Sequence, residues 1–124
     1  MKASDLSVLF IEDDESFVQL GKMILEEEGI KKNIALNEEQ AIEYSRKNDY
    51  NLIICDTMNS CVELSGPRII KKIREMGRDP VVVALSCDEN NKKYWDKFKK
   101  VYFFRKGDFW SKYFPQFLKE KFEI

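Results

Sequence analysis

The 124 residues suffice for one folded domain with a sizeable core, so residues 1–124 predict a single domain. The 21 basic and 22 acidic residues leave a formal charge of -1, which excludes the broad basic surface of a protein that binds nucleic acid directly. No apolar run approaches the ~20 residues that cross a bilayer, and the first residues lack the apolar core of a signal peptide. We therefore expect a cytoplasmic protein with no membrane insertion.

The first predicted strand carries acids at its carboxyl end. Residues 8–11 are four consecutive apolar residues, and Glu12, Asp13 and Asp14 follow them directly. Short apolar runs bounded by polar residues are typical of strands buried on both faces of a parallel sheet. Acids at that edge of a sheet favour a bound cation.

A helix and a weaker strand come next. Acids at a helix N-terminus and glycine just after its end are both favourable, which predicts a helix from Asp14 to Gly29. Residues 30–36 alternate weakly and predict a more exposed strand. Residues 37–40 resemble a capping box, so a second helix should begin there.

Two further apolar runs end in a polar residue. Residues 52–55 predict a strand that ends at Asp56, and residues 80–85 are the strongest strand pattern in the chain, ending at Ser86. Between them Pro67 is well placed at the first position of a third helix.

The last third of the chain predicts two helices around a fifth strand. Residues 88–100 predict a short helix with Tyr94, Phe98 and Val101 on its apolar side. Residues 101–104 predict the strand, and Lys106 follows it shortly after.

The final helix is limited by a proline. Pro115 would clash inside a helix, so we expect this helix to begin around residues 111–112, where the proline still falls near the first turn.

The three cysteines cannot all pair with one another, and their spacing fits no zinc motif. Cys55 and Cys87 lie in or beside apolar runs, where small buried side chains are expected. Cys61 lies in a polar stretch and is a candidate reactive thiol.

Alternating strands and helices predict a parallel sheet with helices on both faces. The polar residues at the strand ends then meet at one edge of the sheet, and they are Glu12, Asp13, Asp56, Ser86 and Lys106. Two carboxylates about 4 Å apart repel by roughly 4 kcal/mol at an effective dielectric constant near 20. Because the chain has no histidine, oxygen ligands for Mg²⁺ are the expected relief. A carboxylate nucleophile, Mg²⁺, a hydroxyl and a lysine are typical of phosphoryl transfer to aspartate.

These residues resemble the receiver domain of bacterial response regulators. The resemblance covers residues 6–118 and rests on residues 8–14, 52–56, 82–86 and 103–106. It implies a flavodoxin-like α/β fold, a doubly wound five-stranded parallel sheet in the order 2-1-3-4-5 flanked by helices. It also implies two-component signalling, in which the chain is a phosphoacceptor that catalyses only its own phosphoryl transfer and dephosphorylation.

The resemblance assigns roles to seven residues. They are Asp56 as the phosphoacceptor; Glu12, Asp13, Asp56 and the backbone carbonyl of Met58 as Mg²⁺ ligands; Ser86 and Lys106 as further catalytic residues; and Ser86 and Phe103 as the switch.

The resemblance also implies the partners. The phosphoryl group would come from a histidine kinase or a phosphotransfer protein. A stand-alone receiver would signal by contact with a downstream target protein, through the face built from residues 88–100, the fifth strand and the last helix. Phosphorylation could also be linked to homodimer formation.

Two other classes of function stay open. A degenerate receiver would act as an interaction module that never takes phosphate; the unusual loop at residues 58–66 motivates it. So does Gly107, because the family carries a cis proline there: the loop either has a cis bond or runs trans with Lys106 displaced. A phosphatase of the haloacid-dehalogenase type is less compatible, since Met58 stands where that family has its second acid. A Rossmann or P-loop domain is disfavoured because no glycine-rich turn follows the first strand.

Overall fold

The computed structural model describes residues 1–58 and 64–124. Five parallel strands form one sheet in the order β2-β1-β3-β4-β5, which confirms the predicted doubly wound fold. The strands are β1 (Ser7–Ile11), β2 (Lys31–Ala35), β3 (Leu52–Asp56), β4 (Val81–Ser86) and β5 (Val101–Arg105). A 3-10 turn, Ala3–Asp5, precedes β1.

Side-chain caps fix the first two helices. α1 (Glu15–Glu27) begins after Asp14, whose carboxylate accepts hydrogen bonds from two backbone amides of the first turn, and it ends before Gly29, which has a φ of 71°. α2 (Glu38–Lys47) is capped by the side chain of Asn37. Both starts follow the predicted capping pattern.

The third helix begins two residues earlier than predicted. α3 is Ser65–Glu75, and Pro67 lies within its first turn, where the N–H that proline lacks has no intrahelical acceptor. The backbone N–H of Gly66 donates to the carbonyl of Thr57 at 3.0 Å, which ties the helix start to the end of β3.

The sheet is covered on both faces. One apolar cluster, on the side of α1 and the last helix, contains Phe10, Leu25, Phe109, Trp110 and Phe114. The other, on the side of α2 and α3, is mainly aliphatic and contains Leu9, Ile53, Ile69 and Trp95. Within the described residues, no helix is both long and apolar enough to cross a membrane.

The predicted helix of residues 88–100 is wrong in type and length. A 3-10 helix, Glu89–Trp95, occupies this part of the chain. Because a 3-10 helix has three residues per turn, its buried side chain is Trp95, while Tyr94 of the predicted apolar side is 40% exposed.

The predicted start of the final helix is also wrong. Helical structure begins at Lys106 with an α-helical turn, Lys106–Asp108, and continues as a π-helix, Phe109–Tyr113. The last helix, Phe114–Phe122, follows, with Pro115 in its first turn. The wider π-helix changes the hydrogen-bonding pattern just before Pro115. The N–H that proline lacks therefore falls in the first turn of the last helix, where its loss is tolerated.

Candidate functional site

Strand register brings the acids together. Ile11 of β1 pairs with Cys55 of β3, so Glu12 and Asp56 leave the sheet at the same edge. Glu12 and Asp56 are buried, and Asp13 is exposed beside them. One carboxylate oxygen from each residue lies within 4.8 Å of the others. The predicted acidic cluster is therefore present.

Lys106 reaches into the same edge from the turn after β5. Its Nζ lies 2.9 Å from Oε1 and 3.1 Å from Oε2 of Glu12, and 3.0 Å from Oδ2 of Asp56. The ring of Phe17 in α1 lies 4.3 Å from the same Nζ, a cation–π contact that helps to hold the ammonium in place. The two acids and the lysine form a buried ionic triad.

Burial perturbs both acids of this triad. Desolvation, with repulsion from Asp56, raises the pKa of Glu12 to about 7. Burial also raises the pKa of Asp56, although Lys106 and the backbone N–H of Met58 act in the opposite direction. Burial alone would lower the pKa of Lys106, but its contacts with Glu12 and Asp56 outweigh this effect and raise it to about 12. One ammonium does not fully compensate two buried carboxylates.

The donor set fits a hard cation. Glu12, Asp13 and Asp56 supply carboxylate oxygens, and no other cluster of three acids or cysteines with this geometry is found among the described residues. Two of these carboxylates, those of Glu12 and Asp56, are buried against one ammonium, that of Lys106. These residues therefore fit Mg²⁺, which prefers oxygen ligands.

Asp56 opens into a cleft of about 440 Å³. This cleft is lined by Asp56, Met58, Ser86, Cys87, Asp88, Asn91 and Lys106. Of the predicted site residues, Met58 and Ser86 therefore lie beside the acid. Phe103 instead lines a separate groove next to the π-helix, together with Glu89 and Tyr113. Its predicted switching role stays a prediction.

The Ser86 hydroxyl is held by its own loop. Ser86 Oγ donates to the carbonyl of Asp88 at 3.0 Å and accepts from the backbone N–H of the same residue at 3.0 Å. Asn91 Nδ2 donates to the same oxygen at 3.0 Å. The hydroxyl thus lies in the cleft with Asp56 but is fully hydrogen-bonded to the segment after β4.

Two further residues at this edge were not found from the sequence. Thr57, directly after Asp56, donates its hydroxyl to the carbonyl of Leu85 at 2.9 Å, and Trp95 Nε1 donates to that hydroxyl at 3.0 Å. The sequence pattern gives Thr57 no role, and Trp95 lies outside the predicted apolar side of its helix. The signals that the sequence offers are a polar residue directly after Asp56 and a tryptophan within a polar segment.

Three remaining expectations concern the Lys106–Gly107 peptide bond, the cysteines and the loop after Asp56. No cis peptide bond occurs within the described residues, so Lys106 and Gly107 are joined in trans, and the lysine still contacts both acids. Cys55 is buried as expected, but Cys87 is exposed, because the chain leaves the sheet at Ser86. Cys61 and most of the unusual loop lie outside the described residues.

A family model described as "Response regulator receiver domain" matches residues 8–104. The transcriptional regulatory protein SrrA of Staphylococcus aureus is 28% identical over 86 residues, which are 69% of this chain and 35% of that protein. The chain thus spans about a third of the length of this curated relative.

Solved structures share the fold. The chemotaxis protein CheY4 of Vibrio cholerae superposes with a TM-score of 0.75 at 16% identity, covering 95% of this chain and 96% of that one. The receiver domain of a Francisella response regulator gives a TM-score of 0.66 at 23% identity, covering 82% and 84% respectively.

Proposed function

The chain belongs to the response regulator receiver domain family, and we propose that residues 1–124 act as one receiver domain that accepts a phosphoryl group on Asp56 with the help of Mg²⁺. The observation that carries the proposal is the buried triad, in which Lys106 lies 3.0 Å from Asp56 and 2.9 Å from Glu12. Burying charged groups costs desolvation energy, and buried ionisable groups with perturbed pKa values in a cleft are typical of functional sites.

Each charged residue has a distinct task in the proposed reaction. An oxygen of the Asp56 carboxylate attacks phosphorus; the new O–P bond forms as the bond to the donor's leaving group breaks, and that group departs with the bonding electrons. Glu12 and Asp13, with Asp56, would hold Mg²⁺, which supplies positive charge to the phosphoryl oxygens. Lys106, whose Nζ lies 3.0 Å from Asp56, supplies a second positive charge.

Two groups beside Asp56 oppose the effect of burial on its carboxyl group. The backbone N–H of Met58 and the ammonium of Lys106 both favour the ionised carboxylate of Asp56 against the effect of burial. The Met58 backbone carbonyl is the fourth proposed metal ligand. An acceptor held by fixed donors needs little reorganisation when the phosphoryl group arrives.

The proposed signal is a shift of population between two states of the region around Ser86 and Phe103. In the second state the Ser86 hydroxyl would donate to the phosphoryl group, and a downstream protein would bind the face formed by the Glu89–Trp95 helix, β5 and the last helix. The donor would be a histidine kinase or a phosphotransfer protein. Homodimer formation on phosphorylation and the cytoplasmic location stay predictions.

Intact-mass spectrometry after incubation with acetyl phosphate tests the acceptor. We expect one phosphoryl adduct that requires Mg²⁺ and is lost in Asp56→Asn, while the exposed Asp49→Asn serves as the matched control. An unchanged adduct in Asp56→Asn would show that another residue is the acceptor. No adduct together with no Mg²⁺ binding would favour the degenerate interaction module.

A Mg²⁺ titration tests the metal ligands separately. Asp13→Ala should weaken Mg²⁺ binding on the order of 10-fold or more, because a carboxylate is removed from the cluster. Glu15→Ala is the control, since it removes a nearby exposed acid outside the cluster. Equal binding by wild type and Asp13→Ala would contradict the assigned site.

A further inference from the structure

The hydrogen-bonding capacity of the Ser86 hydroxyl is exhausted in this structure. A serine hydroxyl donates one hydrogen bond and accepts two. Here the donated bond goes to the carbonyl of Asp88, and the accepted bonds come from the Asp88 backbone N–H and from Asn91 Nδ2, each at 3.0 Å. The hydroxyl cannot donate to a group on Asp56 until it gives up its bond to Asp88.

Asn91 links this hydroxyl to the segment that follows Asp56. The same Nδ2 that donates to Ser86 lies 3.5 Å from Sδ of Met58, two residues beyond the acceptor. The side chain therefore bridges the ends of β4 and β3 within the cleft.

The bridge belongs to the Glu89–Trp95 helix, which has a second attachment nearby. Trp95 Nε1 donates to the hydroxyl of Thr57, the residue directly after Asp56. Ser86 and Thr57 are thus each hydrogen-bonded to one side chain of the same short helix.

We propose that Asn91 is a positioning residue that holds the Ser86 hydroxyl in the loop after β4 while Asp56 is unphosphorylated. When the hydroxyl turns to the phosphoryl group, Asn91 loses its acceptor, and the Glu89–Trp95 helix is released at its middle while Trp95 still ties its end to Thr57. This inference rests on the proposed function of Asp56 and deepens it. It places the first structural consequence of phosphorylation in this helix, before any change at Phe103.

Phosphorylation of single and double variants tests the release. Asn91→Ala should raise the ratio of phosphorylated to unphosphorylated chain roughly 2- to 10-fold in acetyl phosphate and Mg²⁺, because one net hydrogen bond of the unphosphorylated state is removed. In a Ser86→Ala background the same substitution should leave the ratio of phosphorylated to unphosphorylated chain unchanged. Asn90→Ala is the matched control, since Asn90 is exposed and lies outside the cleft.

Two outcomes of that experiment would overturn the proposal. An equal rise with Asn91→Ala in the presence and absence of Ser86 would show that Asn91 acts by another route. A fall in the adduct with Asn91→Ala would show that the amide supports the phosphorylated state instead.

Backbone hydrogen exchange tests the hold on Ser86 without any phosphoryl group. Ser86→Ala and Asn91→Ala should each speed exchange at residues 88–95 roughly 2- to 10-fold, and the double variant should be no faster than the faster single variant. Effects that multiply in the double variant would overturn the proposal. If wild type takes no phosphoryl group, the proposed function and the release step both fail, and exchange still decides whether Asn91 holds the hydroxyl.

Discussion

The two sides of the cleft are built from different interactions. On the side of β1 and β3, Glu12, Asp56 and Lys106 form a buried ionic triad. On the side of β4 and the Glu89–Trp95 helix, the contacts with Ser86 and Thr57 are hydrogen bonds between uncharged groups.

The difference has an energetic meaning. An uncompensated buried charge costs several kcal/mol, whereas a hydrogen bond between neutral groups contributes about 0.5 to 1.5 kcal/mol net. The charged side is therefore suited to hold Glu12, Asp56 and Lys106 in a fixed geometry for the proposed phosphoryl transfer. Breaking the hydrogen bonds on the neutral side costs little free energy, and new contacts with one phosphoryl group could offset that cost. The neutral side is therefore suited to signalling.

Removing the ammonium should have the largest effect on stability. Lys106→Met leaves Glu12 and Asp56 buried without their cation, so we expect the free energy of unfolding in EDTA at pH 8 to fall by about 3 to 5 kcal/mol. Urea denaturation measures this, with the exposed Lys112→Met as control. A loss below about 1 kcal/mol would mean that the triad is not the charged unit described here.

The pH dependence of stability should follow Glu12. Its pKa is raised from 4.5 to about 7 on folding, so the folded chain binds the extra proton and is favoured at low pH. This contribution is lost as pH rises towards 7, and the difference in unfolding free energy between wild type and Glu12→Gln in EDTA should change by about 2 to 3 kcal/mol between pH 5 and pH 8. Parallel profiles for the two proteins would contradict the assignment.

A methyl group at Gly66 should disturb the acceptor through the backbone. A β-carbon there would overlap the backbone oxygen of Asp56 and lie 2.9 Å from Cα of Thr57. We expect Gly66→Ala to cost about 1 to 3 kcal/mol in urea denaturation and to slow phosphorylation. Gly107→Ala is the control, since nothing lies within 4 Å of its β-carbon. Equal losses in the two variants would refute the close approach.

The smallest effect is expected on the neutral side. Trp95→Phe removes the donor to Thr57, whose hydroxyl keeps its bond to Leu85. Trp110→Phe is a matched control, because Trp110 is equally buried but its Nε1 has no hydrogen-bond partner among the residues that the structure describes. Trp95→Phe should be more destabilising than Trp110→Phe by about 0.5 to 1.5 kcal/mol in urea denaturation. An equal or smaller loss would show that the Thr57 contact contributes nothing.

The sequence predicted the charged side of the cleft better than the neutral side. Glu12, Asp56 and Lys106 each stand at the end of a predicted parallel strand, and strand ends meet at one edge whatever the details of the loops. The strand order itself came from the family resemblance. No loop geometry was needed to bring these three residues together.

The neutral side depends on features that periodicity does not show. The 3-10 helix has three residues per turn, so the α-helical pattern selected Tyr94 where the structure buries Trp95. The bond between Asn91 and Ser86 depends on the same local winding. The π-helix before Pro115 shifted the start of the helical segment for a similar reason.

The most direct test of Asp56 as acceptor is to locate the phosphoryl group by tandem mass spectrometry of peptides from the phosphorylated wild-type chain. We expect the adduct to lie on Asp56, to require Mg²⁺ and to be removed by hydroxylamine, as is typical of an acyl phosphate. A hydroxylamine-resistant adduct on a serine or threonine, or an acyl phosphate on Asp13 or Glu12, would contradict this expectation.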